Sequence, residues 1–174
     1  MKPSARTTLM LALAAAASTG CERTPTPAGE AGAPAGAAAP ARADNGFEVE
    51  VTLSEAAARA LAAGGESVVV SADYFGYPTV AAQQRELPGT GDGWLSLHER
   101  KLELEGAGRV AFAPVNFDAG QLQLIERGQP QLLINVYSGR RSSEDNLLDC
   151  GTFQDALAVA VRSGVHIECK LIAE

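Results

Sequence analysis

Cys150-Gly151-Thr152-Phe153-Gln154-Asp155-Ala156-Leu157-Ala158-Val159-Ala160-Val161-Arg162-Ser163-Gly164-Val165-His166-Ile167-Glu168-Cys169-Lys170-Leu171-Ile172 is the stretch from which the fold is read. Its second half alternates: Val165, Ile167, Cys169 and Leu171 fall on one side of an extended chain and polar residues on the other, which predicts a strand with one face buried. Its first half predicts a helix over 153–162, with Thr152 as the cap, Asp155 completing a capping box and Ser163-Gly164 as the stop. Ten helical residues travel ~15 Å and the strand returns ~13 Å by Cys169. Helix and strand lying antiparallel would then bring Cys150 beside Cys169, and a bridge closing roughly 20 residues would stabilise the fold by about 3 kcal/mol. A Cys-x-x-Cys redox motif is absent, so the expected role of the pair is structural.

Working back along the chain, further strand signals appear. Phe47 to Leu53 alternates with period two. Thr52 and Glu55 read as a capping box for a helix through Ala56–Ala63, stopped by Gly64-Gly65. Ser67 to Ala72 is a β-branched run that suggests a central strand, leading into an aromatic turn from Asp73 to Pro78. A loop over Pro88–Gly93 precedes two strand segments, Trp94–Leu97 and Lys101–Glu105. Leu95 and Leu97 are odd-numbered while Leu102 and Leu104 are even, so a bulge or break is expected near Glu99-Arg100. Gly106-Ala107-Gly108 turns the chain into Arg109–Ala113, the expected partner strand, with Val110 and Phe112 inward. Phe117–Ile125 is ambiguous between a helical turn capped by Asp118 and a strand; Gln131–Tyr137 is a strand and Ser138–Asn146 a polar loop. About seven strands with two short helices in connections predict a mainly β domain. The expected architecture is an antiparallel β-sandwich, immunoglobulin-like or transthyretin-like, with an α+β layer as the alternative.

The other end of the chain carries a different signal. Lys2 and Arg6 precede an apolar run, Leu9 to Ala17, and small residues follow. This is the pattern of a secretory signal. Nine apolar residues reach only about 14 Å as a helix, too short for a ~30 Å hydrocarbon core. Ser18-Thr19-Gly20-Cys21 resembles the lipobox of bacterial lipoproteins, in which small residues precede a cysteine that receives lipid; Ser18 stands where that family usually carries an aliphatic residue. The resemblance covers residues 1–21. It implies cleavage before Cys21, a diacylglyceryl thioether on its sulfur and an acylated amino end, a multi-chain anchor that holds stably. The other reading is an ordinary secretory signal that leaves Cys21 as a spare thiol.

Three regions follow: a signal peptide at 1–20, a lipidated Cys21 with an Ala/Pro/Gly-rich tether at 21–45, and one globular domain at 46–174. The tether has no large aliphatic or aromatic residue to bury, so it is expected to lack order of its own. As a random coil it spans roughly 27 Å, and fully extended about 75 Å. An exported chain also favours the Cys150–Cys169 bridge, because its compartment is oxidising.

Charge narrows the function. The chain of 174 residues has 14 Lys and Arg against 21 Asp and Glu. Without Lys2 and Arg6 the mature chain has 12 cations against the same 21 acids, a net charge of −9. No basic cluster exceeds Arg140-Arg141 or Arg100-Lys101, so nucleic acid is not an expected partner. A P-loop, a G-x-G-x-x-G fingerprint and a Gly-x-Ser-x-Gly elbow are missing from the sequence. His98 and His166 have no Cys or His neighbour at ligand spacing, so no metal is expected, and no cofactor. The oxygen-rich segment Ser142–Asn146 with Asp149 lacks the glycine and alternation of a calcium loop and reads as a solvated loop. Tyr74, Phe75 and Tyr77 remain the lead for partner binding, with core packing as the competing reading. The expectation is a lipid-anchored envelope lipoprotein. It would sit on the outer membrane facing the periplasm, held through lipid on Cys21. Its domain would be a non-catalytic binding or structural module for an envelope protein, peptide or glycan. The alternative is a periplasmic, hydrolase-like enzyme using carboxylates or His98.

Overall fold

The computed structural model describes residues 44–85 and 93–173. The signal peptide, Cys21 and most of the tether lie outside the described residues, as does most of the expected Pro88–Gly93 loop. The Asn45 side chain donates to Val115 O (2.9 Å) and accepts from Val115 N (2.7 Å).

The domain is mainly β. Eight strands form among the described residues: β1 (Phe47–Leu53), β2 (Val68–Gly76), β3 (Leu95–Leu104), β4 (Gly108–Phe112), β5 (Gln131–Ser138), β6 (Leu148–Cys150), β7 (Phe153–Ala156) and β8 (Val165–Leu171). They make two four-stranded sheets, β4-β1-β8-β6 and β3-β2-β5-β7. The second is antiparallel throughout; in the first, β1 and β8 run parallel. Helices are short: α1 (Glu55–Gly64), α2 (Val80–Gln83), α3 (Ala119–Leu124) and α4 (Leu157–Ser163).

Alternation determines what is buried. Val49 and Val51 of β1 and Ile167 and Cys169 of β8 turn inward, as do Val68 and Val70 of β2 and Leu132, Ile134 and Val136 of β5. These residues, with Ala57 and Leu61 of α1 and Leu157 and Ala160 of α4, form a single hydrophobic core. Only β2 and β3 are both consecutive in the chain and adjacent in a sheet. The remaining strands pass from one sheet to the other, and this explains several departures from the sequence reading.

Arg109–Phe112 does not pair with the strand before it. β4 crosses to the first sheet and pairs with β1, where Phe112 lies opposite Phe47 and their rings stack with centroids 5.1 Å apart. The expected helix over 153–162 is half strand. Phe153–Ala156 extends along β5, Ile134 opposite Phe153, and only Leu157–Ser163 is helical. The Thr152 box therefore does not form: Asp155 Oδ1 accepts from Ala156 N, and Leu157 N donates to Pro130 O. Pairing with an open sheet edge outweighs a local helix preference. The first helix is capped by Ser54, whose Oγ accepts from Ala57 N, because Thr52 is paired within β1 against Glu168. The leucine phase change belongs to one continuous β3, with Leu97 as the extra residue between His98, opposite Tyr74, and Ser96, opposite Phe75. The Phe117–Ile125 ambiguity resolves as α3, capped by Asp118 onto Gln121 N. Cys150 and Cys169 are cross-strand partners of β6 and β8 and form a disulfide, with Cα atoms 4.1 Å apart.

Candidate functional site

The aromatic turn read from the sequence is the end of β2, and strand alternation sends its residues to opposite faces. Tyr74 turns into the core, 1% exposed, with its ring against Phe47, His98 and Phe117. Burial pushes its hydroxyl pKa up to about 12. Among the described residues its Oη has no hydrogen-bond partner. Tyr74 is thus a core residue and not a surface contact. Phe75 is also buried, at 3% exposure, but it stands outside the main core on the other face of the sheet. What covers it is a pair of aromatic rings: Trp94 at 4.7 Å and Tyr77 at 5.7 Å, the latter edge-on. Tyr77 itself is 46% exposed. Of the three aromatic residues proposed for binding, only Tyr77 presents substantial surface. The sequence reading missed Trp94, which stands 18 residues beyond Gly76, the end of β2.

The chain after β2 holds this shelf in place. Tyr77 O accepts from Glu126 N at 2.8 Å and Thr79 N donates to Leu124 O at 2.8 Å. Gly76 is needed for the approach: a Cβ there would collide with the Ile125 side chain.

Ser71, Asp73 and Phe75 share the outward face of β2, at alternate positions about 7 Å apart. Across β3, Lys101 lies opposite Ser71 and Glu99 opposite Asp73; across β5, Leu133 lies opposite Asp73. Asp73 and Glu99 are therefore like charges side by side. Lys101 Nζ is 2.6 Å from Glu99 Oε1, and that bond raises the lysine pKa. Asp73 receives much less: Ser71 Oγ donates to Oδ2 over 3.4 Å. Burial first, then the Glu99 charge, raises the Asp73 carboxyl above its ordinary range. A carboxylate kept in an unfavourable setting on an outward face does nothing for the fold, and such groups cluster at functional sites.

Several other polar groups have structural partners. Glu66, 2% exposed, accepts from Ser67 N (3.0 Å), Arg141 N (3.0 Å), Ser142 N (2.8 Å) and Ser142 Oγ (2.7 Å). This carboxylate pins the 139–146 loop, whose segment Ser142–Asn146 the sequence suggested was merely solvated. Arg141 pairs with Glu103 and Glu105. Asn146 Oδ1 accepts from Ser138 N at 2.9 Å. His166 lies on the outer face of the first sheet between Glu50 (3.6 Å) and Glu168 (3.9 Å), in a row that begins with Arg109. His98 is exposed over the Tyr74 ring.

Depressions mark the surface among the described residues. One, of about 570 Å³, is walled by the disulfide and Asp149, Glu168 and Lys170. Another, of about 480 Å³, is lined by Phe117, Leu122, Pro130, Leu157 and Val161. A third, of about 330 Å³, is lined by Glu48, Glu50, Arg109 and His166. Among the described residues no three His, Cys, Asp or Glu side chains gather as a ligand set for a metal ion. No protein-family model, curated protein or solved structure matches the chain.

Proposed function

We propose that residues 46–174 form a non-catalytic binding module, held at a bacterial membrane by lipid on Cys21, that docks a partner on the outer face of its second sheet. The observation carrying this reading is the Phe75–Tyr77–Trp94 shelf beside the opposed carboxylates of Asp73 and Glu99. Aromatic residues give large contact area with little side-chain entropy to lose, and rank among the residues that dominate binding energy. Two sheets around one core fit a β-sandwich of the immunoglobulin-like or transthyretin-like kind, with the parallel β1–β8 pair as the departure from a fully antiparallel one. In that arrangement the tether would place an outward face within reach of envelope proteins, peptides or glycans.

A photo-cross-linking residue replacing Tyr77 in intact cells, followed by mass spectrometry, tests the docking face. The same residue replacing Lys170, on the first sheet, is the control. A reproducible partner from position 77 alone is expected; equal recovery from both positions, or none, overturns the reading. The anchor has its own test. Cys21→Ala should release the protein from membranes or block its maturation, and a normally processed, membrane-bound variant would refute lipidation.

The second reading, a hydrolase-like enzyme, draws on the same pair. Asp73, with its raised carboxyl, would be the acid, and Glu99, paired with Lys101, the base. Turnover of an envelope-derived ester or glycoside that Asp73→Asn abolishes would favour it over the binding module.

A further inference from the structure

We propose that the outer face of the second sheet takes a basic, extended segment of a partner protein, with a lysine or arginine head between Asp73 and Glu99 and its stem on the aromatic shelf. This rests on the docking face proposed above and names what that face selects.

The charges on this face favour a cation. Asp73 and Glu99 are cross-strand neighbours, and like charges directly opposite one another are destabilising. The nearest cation, Lys101, is bonded to Glu99. Asp73 has the same lysine only as a nearby charge, and a long hydrogen bond from Ser71. One further positive charge would complement the pair, and a neutral sugar brings none. The second consideration is geometry. Phe75 lies two residues along β2 from Asp73 on the same face, about 7 Å away, close to the length of a lysine or arginine stem. Trp94 and Tyr77 over Phe75, with Leu133 flanking Asp73, offer apolar and π surface to that stem. Third, Glu99, Lys101 and Tyr77 are exposed along one open face, which suits an extended chain running across the strands. The mature charge of −9 adds long-range attraction for a basic partner.

Trp94 is the single tryptophan of the chain, so its fluorescence reports on the shelf directly. The probes are a Lys-Ala-Lys-Ala-Lys peptide, its Glu-Ala-Glu-Ala-Glu counterpart and the neutral oligosaccharide cellohexaose. Each is titrated into the full mature chain. The expected result is a saturable change in Trp94 emission with the lysine peptide only, weakened about tenfold by Asp73→Asn and by raised salt. Asp149→Asn removes the same charge from the first sheet and should leave binding unchanged. Circular dichroism of each variant confirms that it is folded. Equal weakening by Asp73→Asn and Asp149→Asn overturns the inference, since net charge alone would then explain binding. A response to cellohexaose but not to the lysine peptide also overturns it while the docking face survives. If no probe moves Trp94 but cross-links from position 77 still capture a partner, the basic-segment inference fails and the proposed function stands. If both experiments are empty, both fail.

Discussion

Replacing Glu66 by Gln isolates one buried carboxylate at nearly constant shape. In the native domain its two oxygens accept four hydrogen bonds from Ser67, Arg141 and Ser142, groups 1 to 76 residues away in the chain. Burial by itself pushes the carboxyl pKa up; the hydrogen bonds more than offset this and leave it lowered from 4.5 to about 2. At 1.36 kcal/mol per unit that shift corresponds to about 3 kcal/mol. Arg141 and Ser142, which cover the site, are themselves exposed, so nearby water screens the charge and the usable stabilisation is about 1–2 kcal/mol. The sign follows from the depressed pKa. Stability from Glu66 is full above pH 4.5 and is lost as pH falls through about 2, where folded and unfolded chains bind the proton alike. The variant has no such dependence, and its amide turns an N–H₂ group toward donors. Urea denaturation of both proteins at several pH values is the assay. The variant should be less stable by about 1–2 kcal/mol near neutrality, with the gap narrowing between pH 4.5 and 2. Hydrogen exchange at the Arg141 and Ser142 amides should quicken in step. A gap that stays constant from pH 6 to pH 2 would refute the claim that an ionised Glu66 holds the 139–146 loop.

Other perturbations test separate parts of the structure. Tyr74→Phe deletes a buried hydroxyl without a partner among the described residues, so the thermal midpoint should rise by a few degrees, for about 1 kcal/mol; a fall would mean that the hydroxyl has a partner. Replacing Cys150 and Cys169 together by Ala opens a loop of 19 residues' separation and should cost about 3 kcal/mol, read from denaturation with and without reductant. A parent protein indifferent to reductant would show that the bridge contributes nothing. Asp73→Asn should stabilise the domain at neutral pH. A raised carboxyl favours folding while protonated, and that contribution is lost as pH rises through the folded pKa. The variant's advantage should vanish below pH 3.8, the ordinary aspartate value; a destabilised variant at pH 7 would show that the ionised group serves the fold.

The candidate site was only partly legible in the chain. Tyr74, Phe75 and Tyr77 stand out in a sequence poor in aromatics, yet treating them as a turn hid the alternation that separates them. Extending the β2 strand by three residues would have put Tyr74 inward and Phe75 outward. No local signal could have joined Trp94 to Phe75, or Glu99 to Asp73, because those meetings depend on which strand borders β2 and on a one-residue bulge at Leu97. Glu66 was equally silent: nothing around it in the sequence indicates that a loop 75 residues later will supply its donors.

The local pattern of the sequence determined most of the β elements. Side-chain alternation has a period of two, and valine, isoleucine and leucine declare it, so β1 and β8 could be read with one face buried and β5 as a strand. The sequence also named the Cys150–Cys169 pair, but the helix assumed to bring them together is half strand, and they meet as cross-strand partners of β6 and β8. Tertiary structure alone decided which strands became neighbours, because hydrogen-bonded edges carry no residue code and a pairing wins by the burial it permits. That is why β4 left β3 for β1, where Phe112 could stack on Phe47, and why Phe153–Ala156 gave up a helix to complete the edge of β5. The outward face that joins Asp73, Glu99 and the aromatic shelf is a product of those pairings, assembled from two strands and a loop that meet only in the folded domain.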